Sequence, residues 1–579
     1  MGRHFITVVP SIRSIPGVEE FDYAIPSNAN IQIGDVIHVP FRSKCVPGIV
    51  VAIRETSMHA DRAIFLDDPH VLLRLPPATV ALLRETSMRC FSSLPSVFHS
   101  WIRQAPKRIE KRLTSRPHAG MVGRRSRQMS LPHTHERFFV DRWGGKNGLI
   151  VEAKKSDGRV LILTPWKARA DHLAIILKTK SLHADLAMTA GWNRVSGFVT
   201  GENRILVATR MGAWLSSVAD TVLIDEPEND DYKQDELAPR YDARWMVECS
   251  ARLRPDVRVV SYGTTPRLGA AIHASSVPEI HAAIAIEQWR KRSGSSIELL
   301  SPNTVQEIES AVADGIAVSI LHPIRGMRSR VSCSDCRWSA SCPACGWNLS
   351  LGERHTLCKR CGKKADLPLS CPSCGGTDFS RGLPGMDQLQ KRCDAHFGHD
   401  RVRVVDLLGF ESDARSLVVI TDLSLLAGAT EDIRRRERLI IAWRRVAAAC
   451  ATMDARLRVQ GSEELVAECR SWLTVDGFSA AWKKEYLERR TFGFPPAVRL
   501  VKFLCDGTMD SAHTVVRDLR AFATGEWSVN GPYPVPYRST TRKPRYVMHL
   551  IGPLSSAPPV SRLSTTLCHI DLDPIAFFE

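Results

Sequence analysis

No apolar run in this 579-residue chain is long enough to span a membrane, and the first ten residues, Met1 to Pro10, lack the apolar core of an export signal. Those two absences predict a cytoplasmic protein with no membrane partner. Acidic residues are in short supply: 62 Asp and Glu against 78 Lys and Arg leave a net charge of +16. Such an excess suits a polyanionic partner. A complete phosphate-binding loop is also missing. That loop needs glycines so that backbone N–H groups can wrap phosphate, a lysine for charge and a hydroxyl for Mg2+. The one approximation runs from Val140 to Asn147. Gly145 and Lys146 fit it, but Val140 replaces the first glycine, Asn147 replaces the hydroxyl and Trp143 crowds the turn. Productive ATP binding is not expected there. Finally, the chain is too long for a single core, which predicts three or more domains.

Cysteine is plentiful. Of 16 cysteines, eight form four Cys-x-x-Cys pairs between Cys333 and Cys374. They are Cys333/Cys336, Cys342/Cys345, Cys358/Cys361 and Cys371/Cys374. Each such turn points two sulfurs at one centre, and tetrahedral zinc takes four ligands, so eight thiolates predict two closed, structural Zn2+ sites. Gly346, Gly362 and Gly375 directly follow three of the pairs and suit the tight knuckle. A disulfide cluster is disfavoured, because such scaffolds belong to short secreted chains. Three pairings of the knuckles are possible. Loop lengths favour nesting, with Cys342, Cys345, Cys358 and Cys361 on the inner zinc and Cys333, Cys336, Cys371 and Cys374 on the outer one. His355 is a possible substitute ligand. The other eight cysteines stand singly and read as free thiols of a reducing compartment.

The pattern along the chain is multidomain α/β. Residues 1–69 read as a small β-barrel or sheet, from runs such as Phe5–Val9, Asp35–Val39 and Gly48–Ala52. Within it Phe21 and Tyr23 flank Asp22, either as a pocket for a base and a sugar hydroxyl or as ordinary alternation with both aromatics in the core. Taken alone, the residues favour the second. Residues 70–104 read as short helices, Val80–Met88 and Ser96–Ile102, of a winged-helix-like module. Residues 105–135 form a basic linker in which Lys107, Arg108, Lys111, Arg112 and Arg116 are relieved only by Glu110. From 136, buried-strand runs at Val160–Thr164, Ile205–Ala208, Thr221–Ile224 and Val257–Ser261 alternate with helices such as Lys167–Lys178 and Arg240–Ala251. That alternation predicts a parallel sheet covered on both faces. A second α/β region follows, with a strand at Gly315–Leu321, a helix at Met386–Phe397, strands near 402–408 and 416–421 and a helical, Arg-rich stretch over 430–452.

The run Leu223–Ile224 ends in Asp225 and Glu226. In nucleotide sites an Asp so placed holds Mg2+ and the Glu polarises water. Beyond it, Tyr232, Lys233 and Gln234, then Pro239, Arg240, Tyr241, Ala243 and Arg244, stand in a specific spacing. Here the chain resembles the PriA family of primosomal replication restart helicases, whose pattern is D-E-E-H, then S-Y-K-Q, then P-R-Y-x-A-R. The eight cysteines are similar to that family's zinc insertion, in which the knuckles pair nested. Leu163 to Pro165 resembles helicase motif Ia and Gly263 to Pro266 motif III. Phe21, Asp22 and Tyr23, with Val39, Pro40 and Phe41, resemble the family's N-terminal domain that captures a nascent 3′ DNA end. Glu488 to Pro496 and Asp571 to Pro574 resemble its C-terminal domain.

The resemblance implies a layout: 3′-end-binding domain 1–69, winged-helix-like module 70–104, linker 105–135, helicase lobe one 136–284, lobe two 285–465 with a zinc insertion over 331–376, and a C-terminal domain 466–579. It implies that Phe21, Asp22 and Tyr23 contact the 3′ terminus, and that Tyr232, Lys233, Arg240, Tyr241 and Arg244 couple the nucleotide site to DNA. The implied partners are forks, 3′ ends and single strands, other primosome and replication proteins, and single-strand binding protein. The departures lie in the motor. Motif II reads Asp225-Glu226-Pro227-Glu228, no stretch matches motif V, and the motif VI region, Arg445 to Thr452, lacks both arginines. This combination is similar to the PriA proteins of some high-GC Gram-positive bacteria and implies restart-fork binding without helicase activity. An active ATP-dependent 3′→5′ helicase is the alternative.

Overall fold

The computed structural model describes residues 3–14, 17–102, 134–138, 148–268, 277–289, 299–324 and 331–574, the last less 334, 337, 344–348, 352–355, 359–362, 367, 381–384, 407–409, 411–415, 428–432, 524, 536–543, 557 and 559–567. Gly145, Lys146, Cys345, Cys361 and nearly all of the expected basic linker lie outside the described residues. The chain forms two compact units. The first is Met1–Arg137, Arg142–Gly263 and Val560–Ile575; the second is Phe138–Asp141, Thr264–Pro559 and Ala576–Glu579.

The first unit opens with a six-stranded sheet in the order Ile64–Phe65, Phe21–Pro26, Arg3–Pro10, Lys44–Arg54, Asp35–Phe41 and Val71–Arg74. Apolar residues at alternate positions, Ile6 and Val8 with Tyr23 and Ile25, bury one face. Of the barrel or sheet expected, the described strands form a sheet with two short edges, Ile64–Phe65 and Val71–Arg74, and no ladder among the described residues joins them. Two helices follow, Pro77–Cys90 and Leu94–Ile102. They pack against the first sheet and against the 3-10 turn Arg210–Ser217: Trp101 stacks on Trp214 with rings 5.9 Å apart and 3° from parallel. Thr79 and Ser217 share a buried hydroxyl hydrogen bond of 2.7 Å.

A second sheet runs Thr134–Phe138, Arg258–Gly263, Thr221–Asp225, Val160–Leu163, Ile205–Ala208 and Lys180–Leu182. The pairs among the last five strands are parallel. Val160, Leu161, Ile162 and Leu163 are all fully buried. A strand covered on both faces reads as a continuous apolar run, which is why these strands were legible in the sequence.

The second unit holds a five-stranded parallel sheet in the order Ile284–Gln288, Arg456–Gly461, Leu417–Ile420, Val318–Leu321 and Val402–Val405. The cysteine-rich segment is inserted between the strand Val318–Leu321 and the helix Met386–Phe397. It contributes only two-residue strands, among them Ser332–Cys333 paired with Phe379–Ser380. Further on, Arg499–Asp506, Arg545–Gly552 and Ser528–Val535 form antiparallel ladders beside the helix Met509–Phe522. Cys505 and Cys568 are disulfide-bonded, which corrects the reading of all eight scattered cysteines as free thiols.

Candidate functional sites

The strand Phe21–Pro26 carries the three residues expected at a DNA 3′ end. Side chains of a strand alternate between faces, so Phe21 and Tyr23 share one face and Asp22 takes the other. Tyr23 is 3% exposed, lies in the apolar core and donates its hydroxyl to the Pro40 carbonyl at 2.8 Å. Burial, with the Cys45 thiol nearby, pushes its pKa up to about 12. Phe21 is half-buried and meets Phe41 edge-on, with ring centroids 5.1 Å apart. Asp22 accepts hydrogen bonds from Thr7 at 2.8 Å and Ser57 at 2.5 Å. The aromatic pair therefore does not bracket the carboxylate. Thr7 and Ser57 were not singled out in sequence, and only the antiparallel register Thr7↔Asp22 brings the first of them to it.

The outer four cysteines converge. The Sγ atoms of Cys333, Cys336, Cys371 and Cys374 lie within 4.8 Å of one another, with Cys333–Cys374 and Cys336–Cys371 each 3.6 Å apart. A tetrahedron with Zn–S bonds of about 2.3 Å has sulfurs about 3.8 Å apart, so the donor set fits zinc. The turn geometry explains the spacing. The Gly375 amide donates to the Cys371 carbonyl at 2.8 Å, Gly375 has φ +76°, and the Cys371 amide donates to the Gly376 carbonyl at 2.7 Å. A Cβ at Gly376 would lie 2.1 Å from an Asp335 carboxylate oxygen. Of the inner set, Cys342 and Cys358 are buried in one small apolar cluster with Val331, Ala340 and Leu349. Their partners Cys345 and Cys361 are outside the described residues.

In the first unit Asp225 ends its strand fully buried, and Glu226 follows, 1% exposed, with φ +51°. The Arg169 guanidinium reaches both, 2.8 Å from Glu226 and 3.4 Å from Asp225. Arg169 belongs to the helix Lys167–Ile176 and lies over the Trp166 ring, 4.8 Å from its centroid. No motif pattern contains Arg169; its one sequence signal is a position just after the motif Ia-like Leu163 to Pro165.

The five residues expected to couple this site to DNA are all buried: Tyr232 0%, Lys233 4%, Arg240 9%, Tyr241 8% and Arg244 7% exposed. Their polar atoms meet the protein's own backbone. Tyr232 donates to the carbonyls of Leu163 at 2.9 Å and of Asp225. Lys233 donates to the carbonyls of Arg240 at 3.0 Å and Leu572 at 2.7 Å, and pairs with Asp571 at 2.8 Å. Arg240 donates to the Asp235 carbonyl at 2.8 Å, and Arg244 to those of Pro227 at 2.7 Å and Asn229 at 2.9 Å. Asp242 caps the helix Ala243–Leu253 by accepting from the Arg244 amide, so that helix begins three residues later than the sequence reading.

Residues 12–102 match the family described as the PriA 3′DNA-binding domain (3′BD). A replication restart protein PriA of Chlamydia muridarum is 29% identical over 174 residues, 27% of this chain and 23% of that protein. Another from Haemophilus influenzae is 24% identical over 284 residues, 44% of this chain and 38% of that protein. The probable replication restart protein PriA of Mycobacterium leprae is 24% identical over 603 alignment positions that cover 90% of both chains. The chain is similar to PriA proteins. The stretches shared with the first two relatives span about a quarter and two fifths of their lengths, whereas the alignment with the mycobacterial protein covers 90% of both chains.

The stretch that resembles motif VI, Arg445 to Thr452, forms the last part of the helix Arg435–Thr452. Ala449 and Thr452 occupy the two arginine positions, and Thr452 turns its hydroxyl back to the Ala448 carbonyl at 2.8 Å. Arg444 is fully buried, donating to the carbonyls of Trp472 at 2.5 Å and Pro278 at 2.7 Å, with its guanidinium 4.6 Å from the Phe478 ring centroid. No helix among the described residues is long and apolar enough to cross a membrane.

Proposed function

We propose that the chain is a replication restart factor that binds stalled or branched forks and nascent 3′ DNA ends and helps reload the replication machinery without ATP-driven unwinding. The observation that carries the reading is the 3′DNA-binding-domain match over residues 12–102, set beside motor motifs that have lost their chemistry. Loss of one arginine finger alone removes roughly 10³–10⁵ in phosphoryl-transfer rate. Here both motif VI arginines, the loop hydroxyl and the first loop glycine are gone. Phe21 and Asp22, on opposite faces of one strand, meet the terminal nucleotide, and Tyr23 supports them from the core. Tyr232, Lys233, Arg240, Tyr241 and Arg244 shape the loop after motif II from inside and do not touch DNA. The insertion carries two Zn2+, one on Cys333, Cys336, Cys371 and Cys374 and one on Cys342, Cys345, Cys358 and Cys361, and presents a face to other replication proteins such as single-strand binding protein. The protein works in the cytoplasm.

The test is fork-stimulated ATP hydrolysis measured beside fork binding on zinc-loaded protein. The expected outcome is binding with background turnover that Lys146→Ala leaves unchanged. Turnover that Lys146→Ala abolishes would establish the active 3′→5′ helicase instead.

A further inference from the structure

Two carboxylates buried side by side need a compensating charge, because burial disfavours their ionised forms and each disfavours the other. In a working phosphoryl-transfer site that charge comes from Mg2+, which demands near-ideal octahedral oxygen geometry and keeps several waters. The surroundings of Asp225 and Glu226 do not fit such an ion. The space between the two acids is met by the Arg169 guanidinium, itself 10% exposed, at 2.8 Å from Glu226 and 3.4 Å from Asp225. A guanidinium carries no lone pair to offer a metal and stays protonated at any relevant pH.

The local frame holds that cation in place. The helix Lys167–Ile176 starts directly after Trp166, so Trp166 and Arg169 are one turn apart and stack, 4.8 Å from guanidinium carbon to ring centroid. Trp166 is fixed in turn by its indole N–H, which donates to Asp231 at 2.5 Å. The acids are fixed from the other side. Tyr232 ties the Asp225 carbonyl to the Leu163 carbonyl on the neighbouring strand, and the Asn229 side-chain amide donates to Glu226 at 3.4 Å. Swinging Arg169 out would break the stack and take its positive charge away from two buried acids.

We propose that Arg169 is a built-in counter-ion that replaces the divalent metal of this lobe and closes the Asp225–Glu226 pair to metal–nucleotide complexes. The proposal rests on the non-hydrolysing reading above, and it adds what a degraded phosphate loop does not: the acids that remain are occupied from within the chain.

Tb3+ luminescence, excited through tryptophan and measured without nucleotide on zinc-loaded full-length protein, tests it. Wild type and its Glu226→Gln variant should give the same Tb3+ signal. Arg169→Met should gain a Tb3+ site at least tenfold tighter than any wild-type signal, and adding Asp225→Asn should abolish the gain. Mn2+ binding followed by electron paramagnetic resonance should show the same order. Wild-type Tb3+ binding that Glu226→Gln removes would overturn the proposal, as would an Arg169→Met protein with no new site. Where Arg169→Met does not fold, the wild-type comparison with Glu226→Gln decides by itself. ATP turnover, followed in parallel, separates the two readings. Metal at wild-type Glu226 without turnover overturns the Arg169 proposal alone, and turnover with no metal there overturns the non-hydrolysing reading alone.

Discussion

Asp22 and Tyr23 are neighbours in sequence with opposite duties. Tyr23 is a core residue whose hydroxyl has one partner, the Pro40 carbonyl. Asp22 is half-buried, and a carboxylate has about four acceptor positions, of which Thr7 and Ser57 each use one. The two should therefore fail differently. Asp22→Ala should lower the preference for a free 3′-hydroxyl end over a 3′-phosphate end by roughly tenfold, read by competition binding, with little change in stability. Tyr23→Phe should leave that preference alone and cost about 1 kcal/mol at pH 8 in urea denaturation. Its pH profile carries the signature. A tyrosine raised to about 12 in the folded state contributes stability that is fully present below the unfolded value of 10 and is lost as pH rises from 10 through about 12. A change of that size is worth up to about 2.7 kcal/mol. Wild type should lose ground on Tyr23→Phe over that window, and a constant difference between pH 8 and 11.5 would refute the assignment of Tyr23 to the core. The alternation that separates these residues was legible in Phe21 to Pro26. Which face is wet was not, because that depends on Thr7 and Ser57, far away in the chain.

Elements differ in how much of their role the sequence carried. The lobe-one strands were readable because parallel strands buried on both faces leave uninterrupted apolar runs such as Val160 to Leu163. The outer knuckle was readable because ligand spacing is itself the geometry: Cys371, Cys374 and the positive-φ Gly375 are one turn. The loop after motif II was identified by pattern, and a pattern carries no direction. A family-like string of Tyr232, Lys233 and Arg240 says nothing about whether its side chains point to a ligand or to the chain's own carbonyls, and here they point inward. Lys233 meets Asp571 and the Leu572 carbonyl on the strand Cys568–Leu572, so two separate family-like motifs, far apart in the chain, form one buried pair. Zinc-loaded wild type should release two Zn2+ per chain to a chromophoric chelator after thiol modification, and Cys371→Ser should release one. Closed sites of this kind supply roughly 10–16 kcal/mol each to local folding. Cys371→Ser should therefore open amide exchange around Cys333 and Cys374 while the strand Val318–Leu321 stays protected. A wild-type yield of one zinc would remove the inner site.

At the scale of the whole molecule, charge and shape act through different terms of the binding free energy. With 78 basic against 62 acidic residues, the chain should release condensed counterions when it meets DNA. Its fork affinity should fall linearly on a log–log plot against salt, with a slope of about −0.9 per phosphate neutralised, and 6–10 contacts would cost about 10³–10⁵ between 50 and 200 mM salt. Stacking obeys no such law. Phe21 is half-buried against Phe41; in the proposed reading it stacks on a terminal base, and an aromatic contact of that kind is worth about 1–3 kcal/mol whatever the salt. Phe21→Ala should thus displace the whole salt plot downward by a constant factor, in parallel with wild type, for forks that present a 3′ end, and should have no effect on forks that lack one. The basic charge is spread along the chain, so its removal at any single arginine changes the slope by less than one phosphate, while one ring sets the offset. A Phe21→Ala line that converged on wild type at high salt would mean that the N-terminal sheet acts through charge, and the 3′-end assignment would then have to move from the Phe21 strand to another surface.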